Sequence, residues 1–168
     1  MALTPAQETT FKTHIEANAD ATVIAALAAG AHNAIADWYN LNAVPDYWIF
    51  RKTVSAKELS DAINLQNIAD ITTADSDRVV KFFQIRSFDG GAFSGESLSD
   101  RTAWDDVFSV AAGDESQQAI ALLWQRIANN FETVFALSTG VGSNADPDTT
   151  SLQGSISTNE VSSALANG

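Results

Sequence analysis

Apolar side chains recur at three- and four-residue intervals along most of this chain, the spacing that puts them on one face of a helix. Thr4-Pro5-Ala6-Gln7 reads as an N-cap, a proline at the first helical position and a glutamine closing a capping box. This predicts a helix from Pro5 to about Ala17 with Phe11 and Ile15 on its inner edge. Asp20 opens the alanine-rich run ATVIAALAAG, which Gly30 ends, and HNAIADWYN continues as a short helix. Asn40-Leu41-Asn42 stops that helix ahead of Pro45, and the proline keeps Val44 extended.

The middle of the chain is less regular. Asp46 to Val54 mixes aromatic and β-branched residues and, between helical flanks, reads equally as a strand or as a buried extended or short helical connector. Ser55-x-x-Glu58 is a second capping box, opening a helix through about Ile63. Thr72 or Thr73 caps a helix with Val79, Phe82 and Phe83 on one face, ending before the glycine-bearing loop Asp89 to Gly95. Ser99 or Asp100 begins a helix carrying Trp104, Val107 and Phe108. Gly113 breaks it, and from Asp114 the longest apolar pattern begins. Ile120, Leu123, Trp124, Ile127, Phe131, Val134 and Phe135 keep helical rhythm, which predicts one core helix to about Leu137. Each large side chain on such a face contributes about 1.5–3 kcal/mol when buried.

Beyond Leu137 the pattern changes. Gly140, Gly142, Asn144 and Pro147 mark irregular chain, and Leu152, Gly154 and Ile156 then alternate as in a short strand. Ser157-x-x-Glu160 is a third capping box, opening a terminal helical turn through Leu165. The expected fold is all-α: a small helical bundle over residues 1–138, and an extended C-terminal arm over 139–168 made of a short strand and a terminal turn. The arm holds too few apolar residues for a core of its own. Leu152, Ile156, Ser157, Val161 and Leu165 are therefore expected to bind a partner, and the arm to be mobile without one.

Charge sharpens this picture. The chain has 21 acidic and 9 basic residues, for a net charge of −12, which argues against sequence-independent nucleic-acid binding. Most of the bases fall between Arg51 and Arg101, and Lys81 and Arg86 in that segment are candidates for contact with an acidic neighbour. Cysteine is absent, excluding disulfides and thiol chemistry. No run approaches the ~20 apolar residues of a membrane span, and MALTPAQETT lacks the features of a signal peptide.

Candidate chemistry is sparse. His14 and His32 lie outside any metal-ligand spacing and read as surface or capping residues. No phosphate-cradling loop is present, and the glycines from Gly90 to Gly95 read as a turn. Asp105-Asp106 and Asp146-Pro147-Asp148 could form a cation site or a carboxylate dyad, but they lack a calcium-loop pattern and read as solvated charge. Trp38, Trp48, Trp104 and Trp124 read as core rather than as a stacking platform. No catalytic, cofactor or metal residue is assigned, and the expectation is a protein that is not an enzyme.

The order of features from residue 47 to 165 resembles a group of small tailed-bacteriophage head-assembly proteins. The similarity lies in Tyr47-Trp48-Ile49-Phe50-Arg51-Lys52-Thr53-Val54, the capped helix from Ser55 to Ile63, the paired Phe82-Phe83 and the helix around Trp104. A Thr-Gly segment from Ser138 to Asn144, a short apolar stretch and Val161 follow. The resemblance implies a head-to-tail connector (adaptor) protein, a virion structural component made in the host cytoplasm and placed at the head–tail interface. It implies a homo-oligomeric ring of about twelve copies below the portal protein, docked through the arm and contacting the next connector or tail protein. DNA would pass its lumen without specific binding, and no cofactor is implied. A capsid decoration or minor head protein is the alternative, and a small-molecule-binding protein or enzyme a more distant one.

Overall fold

The structure, a computed structural model, describes residues 2–70, 72–88, 92–108 and 114–168, with the side chains of 85–88 and 114 left aside. It is largely helical, with small two-stranded sheets. The chain divides into two compact units, residues 1–48 with 127–168 (unit 1) and 49–126 (unit 2). No helix among the described residues is long and apolar enough to cross a membrane.

Unit 1 contains α1 (Pro5–Glu16), α2 (Ala21–Ala29), α3 (His32–Tyr39), α9 (Asn130–Val134) and α10 (Thr158–Asn167). The Thr4–Gln7 capping box forms as read from the sequence. Asp20 caps α2, and Gly30 ends it at φ 64°, a left-handed conformation that glycine adopts without penalty. Phe11 and Tyr39, both fully buried, meet edge to face at 4.8 Å, and Phe11 meets Phe131 at 5.2 Å. Ile15, Val23, Ile35, Phe135, Ile156, Val161 and Ala164 complete this core. Helix α10 lies against α1 and α3.

Unit 2 contains β2 (Val54–Ser55), α4 (Ala56–Ala62), α5 (Leu65–Asp70), α6 (Thr73–Phe88), β3 (Ala92–Phe93), α7 (Leu98–Val107) and α8 (Asp114–Leu123). Strands β1 (Trp48–Phe50) and β4 (Gln125–Ile127), within which the chain passes between units, pair with each other. β2 and β3 pair antiparallel, Val54 opposite Phe93. The Ser55–Glu58 box caps α4, and Ser97, rather than Ser99 or Asp100, caps α7. Trp104 is the centre of the core, with Phe82, Phe83 and Phe93 at 5.3–5.4 Å and Phe108 stacked at 6.3 Å. The expected break at Gly113 and the loop residues Asp89 to Gly91 lie outside the described residues.

Two expectations are corrected. The single core helix from Asp114 to Leu137 is two helices, α8 and α9, separated by β4. The backbone groups that a helix would pair internally are taken by the segment 41–51 instead. Arg51 N–H donates to the Trp124 carbonyl (2.8 Å), Ala128 N–H to the Tyr47 carbonyl (2.7 Å) and Asn130 N–H to the Leu41 carbonyl (2.9 Å). Asn129 then caps α9, accepting from Glu132 N–H while Glu132 accepts from Asn129 N–H. The apolar rhythm ran through the break because its halves serve different cores: Ile120 and Trp124 that of unit 2, Phe131 and Phe135 that of unit 1.

The second correction concerns residues 139–168, which belong to unit 1 rather than forming a separate arm. The strand expected around Leu152 to Ile156 does not form. Thr150 makes an isolated bridge with Ala136, and the chain then runs irregularly to Ser157, which caps α10 with the full capping box. Alternation could not make a ladder here because the polar backbone is satisfied otherwise. Asn40 holds Ile156 at both backbone groups, accepting from its N–H (2.8 Å) and donating to its carbonyl (2.9 Å).

Candidate functional site: a loop locked by buried carboxylates

The segment 138–150 is polar and glycine-rich, yet Asp148 within it is fully buried. Its carboxylate accepts from the Tyr47 hydroxyl (2.6 Å) and from Ser138 N–H (3.0 Å) through Oδ2. Oδ1 accepts from Thr139 N–H (2.7 Å), Thr139 Oγ1 (2.8 Å), Gly140 N–H (3.3 Å) and Thr149 N–H (2.7 Å). A buried carboxylate is tolerated only when saturated by donors in this way. Burial pushes its pKa up, but the hydrogen bonds from Tyr47, Thr139 and Thr149 outweigh it and hold the carboxyl down at about 2. The partner moves oppositely: burial and the Asp148 carboxylate push the Tyr47 phenol up to about 12.

Close approach completes the lock. Gly142 has φ 70°, and a Cβ there would fall 2.3 Å from the Tyr47 ring. Its carbonyl accepts from Trp48 N–H (2.8 Å), and the Trp48 carbonyl accepts from Asp148 N–H (2.9 Å). Glycine is therefore required both for the turn and for the contact with the ring.

A second buried carboxylate, Glu132, holds the next stretch. Besides closing the α9 cap it accepts from Gly154 N–H (2.7 Å). Buried Thr150 donates to the Phe135 carbonyl (2.9 Å). Elsewhere in this unit, the buried Tyr39 hydroxyl meets His14 Nδ1 (2.8 Å) and Asn18 Nδ2 (3.1 Å). Desolvation lowers the His14 pKa, and burial raises Tyr39 to about 12 against the Asn18 hydrogen bond.

These arrangements hold backbone rather than present reactive groups. The Asp148 oxygens are occupied by protein donors, and among the described residues no group of three or more histidines, cysteines or acids lies together as a metal site. In unit 2, Glu58 is held down at about 2 by Ser55 N–H and then by Arg51, whose Nη2 lies 2.7 Å away. Arg101 lies over the Phe50 ring, 4.0 Å from its centre, and donates to the Gly95 carbonyl. Buried Ser116 donates to Asn67 Oδ1 (2.7 Å), joining α8 to α5.

The residues proposed from sequence fall into two sets. Ile156 and Val161 are buried, and Leu152 and Leu165 are partly buried against the unit 1 core, with Ser157 capping α10. These residues stabilise their own unit. Lys81 is exposed on α6, and the Arg86 side chain lies outside the described residues. Reading Asp146-Pro147-Asp148 as solvated charge holds for Asp146, which is exposed, but not for Asp148. Trp104 and Trp124 are core, whereas Trp38 and Trp48 are half-buried.

Sequence reasoning missed Asp148, Glu132, Tyr47 and Asn40. Asn129-x-x-Glu132 carried a readable signal, a fourth capping box hidden inside an apolar rhythm. Asn40 carried none, because its partner is 116 residues away, and Asp148 carried none because its donors within the loop follow no motif and Tyr47 is 101 residues away. No protein-family model, curated protein or solved structure matches the chain.

Proposed function

We propose that the chain is a virion structural protein of the head-to-tail connector type, a ring subunit seated below a portal protein. The observation that carries this reading is where the phage-like features fall. Phe50, Val54, the capped helix α4 through Leu59, Phe82, Phe83 and Trp104 were linked only by their order along the chain, and all contribute to one core in unit 2. The order therefore describes a packed unit rather than a chance sequence of residues, which supports the resemblance. Net charge −12 suits a wall past which DNA must slide without sticking.

The structure changes how the C-terminal segment would take part. Docking through Leu152, Ile156 and Val161 requires their release from unit 1, at about 1.5–3 kcal/mol for each large apolar side chain exposed. A portal groove would have to replace that burial. Imaging of intact particles with the chain labelled tests the reading: label confined to the portal vertex is expected. Label spread over the shell would make it a decoration protein, and absence from particles would end the structural reading. Amide exchange before and after assembly tests the docking element. Protection at Ile156 and Val161 that drops before docking and returns on it supports release, and unchanged protection places docking elsewhere.

A further inference from the structure

Two side chains meet at the buried Tyr39 hydroxyl, and the direction of each hydrogen bond there can be fixed. Asn18 Oδ1 accepts from Asp20 N–H (2.9 Å), which turns the Asn18 amide nitrogen toward Tyr39. Asn18 therefore donates to the phenol oxygen, and the phenol proton needs an acceptor elsewhere. Among the described residues the one remaining partner is His14 Nδ1, 2.8 Å away. Nδ1 must then be unprotonated, so His14 is the neutral ring with its proton on Nε2. A second proton would turn Nδ1 into a donor. Tyr39, fully buried, would face two donors and hold a hydroxyl proton with no acceptor.

No neighbouring charge offsets that cost. Among the described residues the His14 ring makes no ion pair and no hydrogen bond except to Tyr39. On α1, Glu8 accepts from Ser163, Lys12 donates to the Gly168 carbonyl, and Glu16 is exposed. Asp20, Glu132 and Glu160 serve the caps of α2, α9 and α10. His32 and Asp37 of α3 make no bond to the ring. His14 is exposed, so acid reaches it, and partial desolvation holds its pKa below the ordinary 6.5. Folding thus favours the neutral ring, a stabilisation complete above the ordinary value and lost as pH falls through the lower folded one.

The consequence follows from what this contact joins. His14 lies on α1 and Tyr39 ends α3, and α10 lies against both helices. α10 is tied to α1 by Ser163 Oγ, which donates to Glu8 (2.5 Å), and by Lys12 Nζ, which donates to the Gly168 carbonyl (2.7 Å). The chain entering α10 is tied to the end of α3 by Asn40, which holds both backbone groups of Ile156. Val161 and Ala164 are buried in the same core as Phe11 of α1 and Ile35 of α3. We propose that His14 is an acid-sensitive latch, whose protonation loosens α1 from α3 and so opens the seat of α10. The latch stands without the connector reading, and it supplies the release of Ile156 and Val161 that docking through them requires.

Amide exchange of the full chain at about pH 8 and about pH 5, the range in which histidine titrates, tests it once corrected for intrinsic rates. Protection in α1, α3 and α10 should fall by about ten-fold or more on acidification, as one buried hydroxyl loses its acceptor. His14→Asn, whose Oδ1 accepts the Tyr39 proton without titrating, should remove that fall, and His32→Asn should keep it. Nitrogen NMR of the wild type at the higher pH should show the His14 proton on Nε2, a readout that needs no substitution. A proton on Nδ1, or wild-type protection unchanged by acid, would overturn the latch. So would a fall as large in His14→Asn as in the wild type, or one abolished by His32→Asn. A fall confined to α1 and α3 would overturn the opening of the α10 seat. Acid release in a chain absent from particles would sink the connector reading and leave the latch standing.

Discussion

Unit 1 joins the two ends of the chain through buried polar groups, whereas unit 2 is one continuous stretch gathered around a tryptophan. In unit 1, Glu132, Thr150 and Asn40 bind backbone 15 to 116 residues away, and Asp148 ties the backbone of its own loop to the hydroxyl of distant Tyr47. In unit 2 the rings of Phe82, Phe83, Phe93 and Phe108 surround Trp104. The difference follows from connectivity. Unit 1 must bring residues 1–48 and 127–168 together with all of 49–126 between them, so its contacts close long loops. Apolar burial is non-directional and leaves irregular chain without a register. Buried carboxylates select one arrangement, at the cost of desolvation that only saturated hydrogen bonding offsets.

The aromatic side of this comparison carries the largest expected effect. Trp104→Ala should destabilise the protein by about 3–5 kcal/mol, because the ring is 1% exposed and touches four phenylalanines. Chemical denaturation measures it, and a loss below about 1 kcal/mol would show that the cluster tolerates a void. Trp124→Ala, also in this core, should act in the same direction.

The polar side is tested by Asp148→Asn. Asparagine offers one acceptor oxygen and turns an amide toward donors, so about 3 kcal/mol should be lost. The wild type also predicts a pH signature. The folded pKa, about 2, lies below the ordinary 3.8. The stabilisation is therefore complete above about pH 4 and is lost as pH falls through about 2. Glu58 of unit 2 is also held at about 2, so Asp148→Asn should flatten the acid limb only in part. An unchanged acid limb would mean that Asp148 does not lock unit 1. Tyr47→Phe, removing one donor, should cost about 1 kcal/mol by denaturation.

What could be read from the sequence follows the same division. Local signals translated directly: the capping boxes at Thr4, Ser55 and Ser157 and the glycine end of α2 all form. Periodicity found the buried side chains of both cores but could not say which core each serves, and so α8 and α9 merged into one helix. The C-terminal segment was misread for a related reason. Its apolar residues are too few for a core alone, but they complete one begun by Phe11 and Ile35. The carboxylate lock left no local pattern, since a buried aspartate in a polar loop looks like a solvated one until its distant tyrosine is in place.

The smallest effect bears on whether α10 belongs to unit 1 as firmly as Asp148 suggests. Ser157 caps α10, accepting from Glu160 N–H at 3.3 Å, while its own N–H and hydroxyl donate to the Glu160 carboxylate at 2.9 and 2.7 Å. Burial raises the Glu160 pKa, and the Ser157 hydrogen bonds outweigh it, leaving it lowered. Ser157→Ala should cost about 1 kcal/mol, and where that loss is felt decides the matter. Val161 and Ala164 are fully buried beside Phe11 and Ile35. If α10 opens only together with that core, amide exchange should accelerate alike in α1, α3 and α10. Faster exchange confined to 158–167 would mean that the helix detaches on its own. Unit 1 would then be closed by its carboxylates without α10, and the terminal helix would be free to be exchanged for a partner's surface at little expense to the rest.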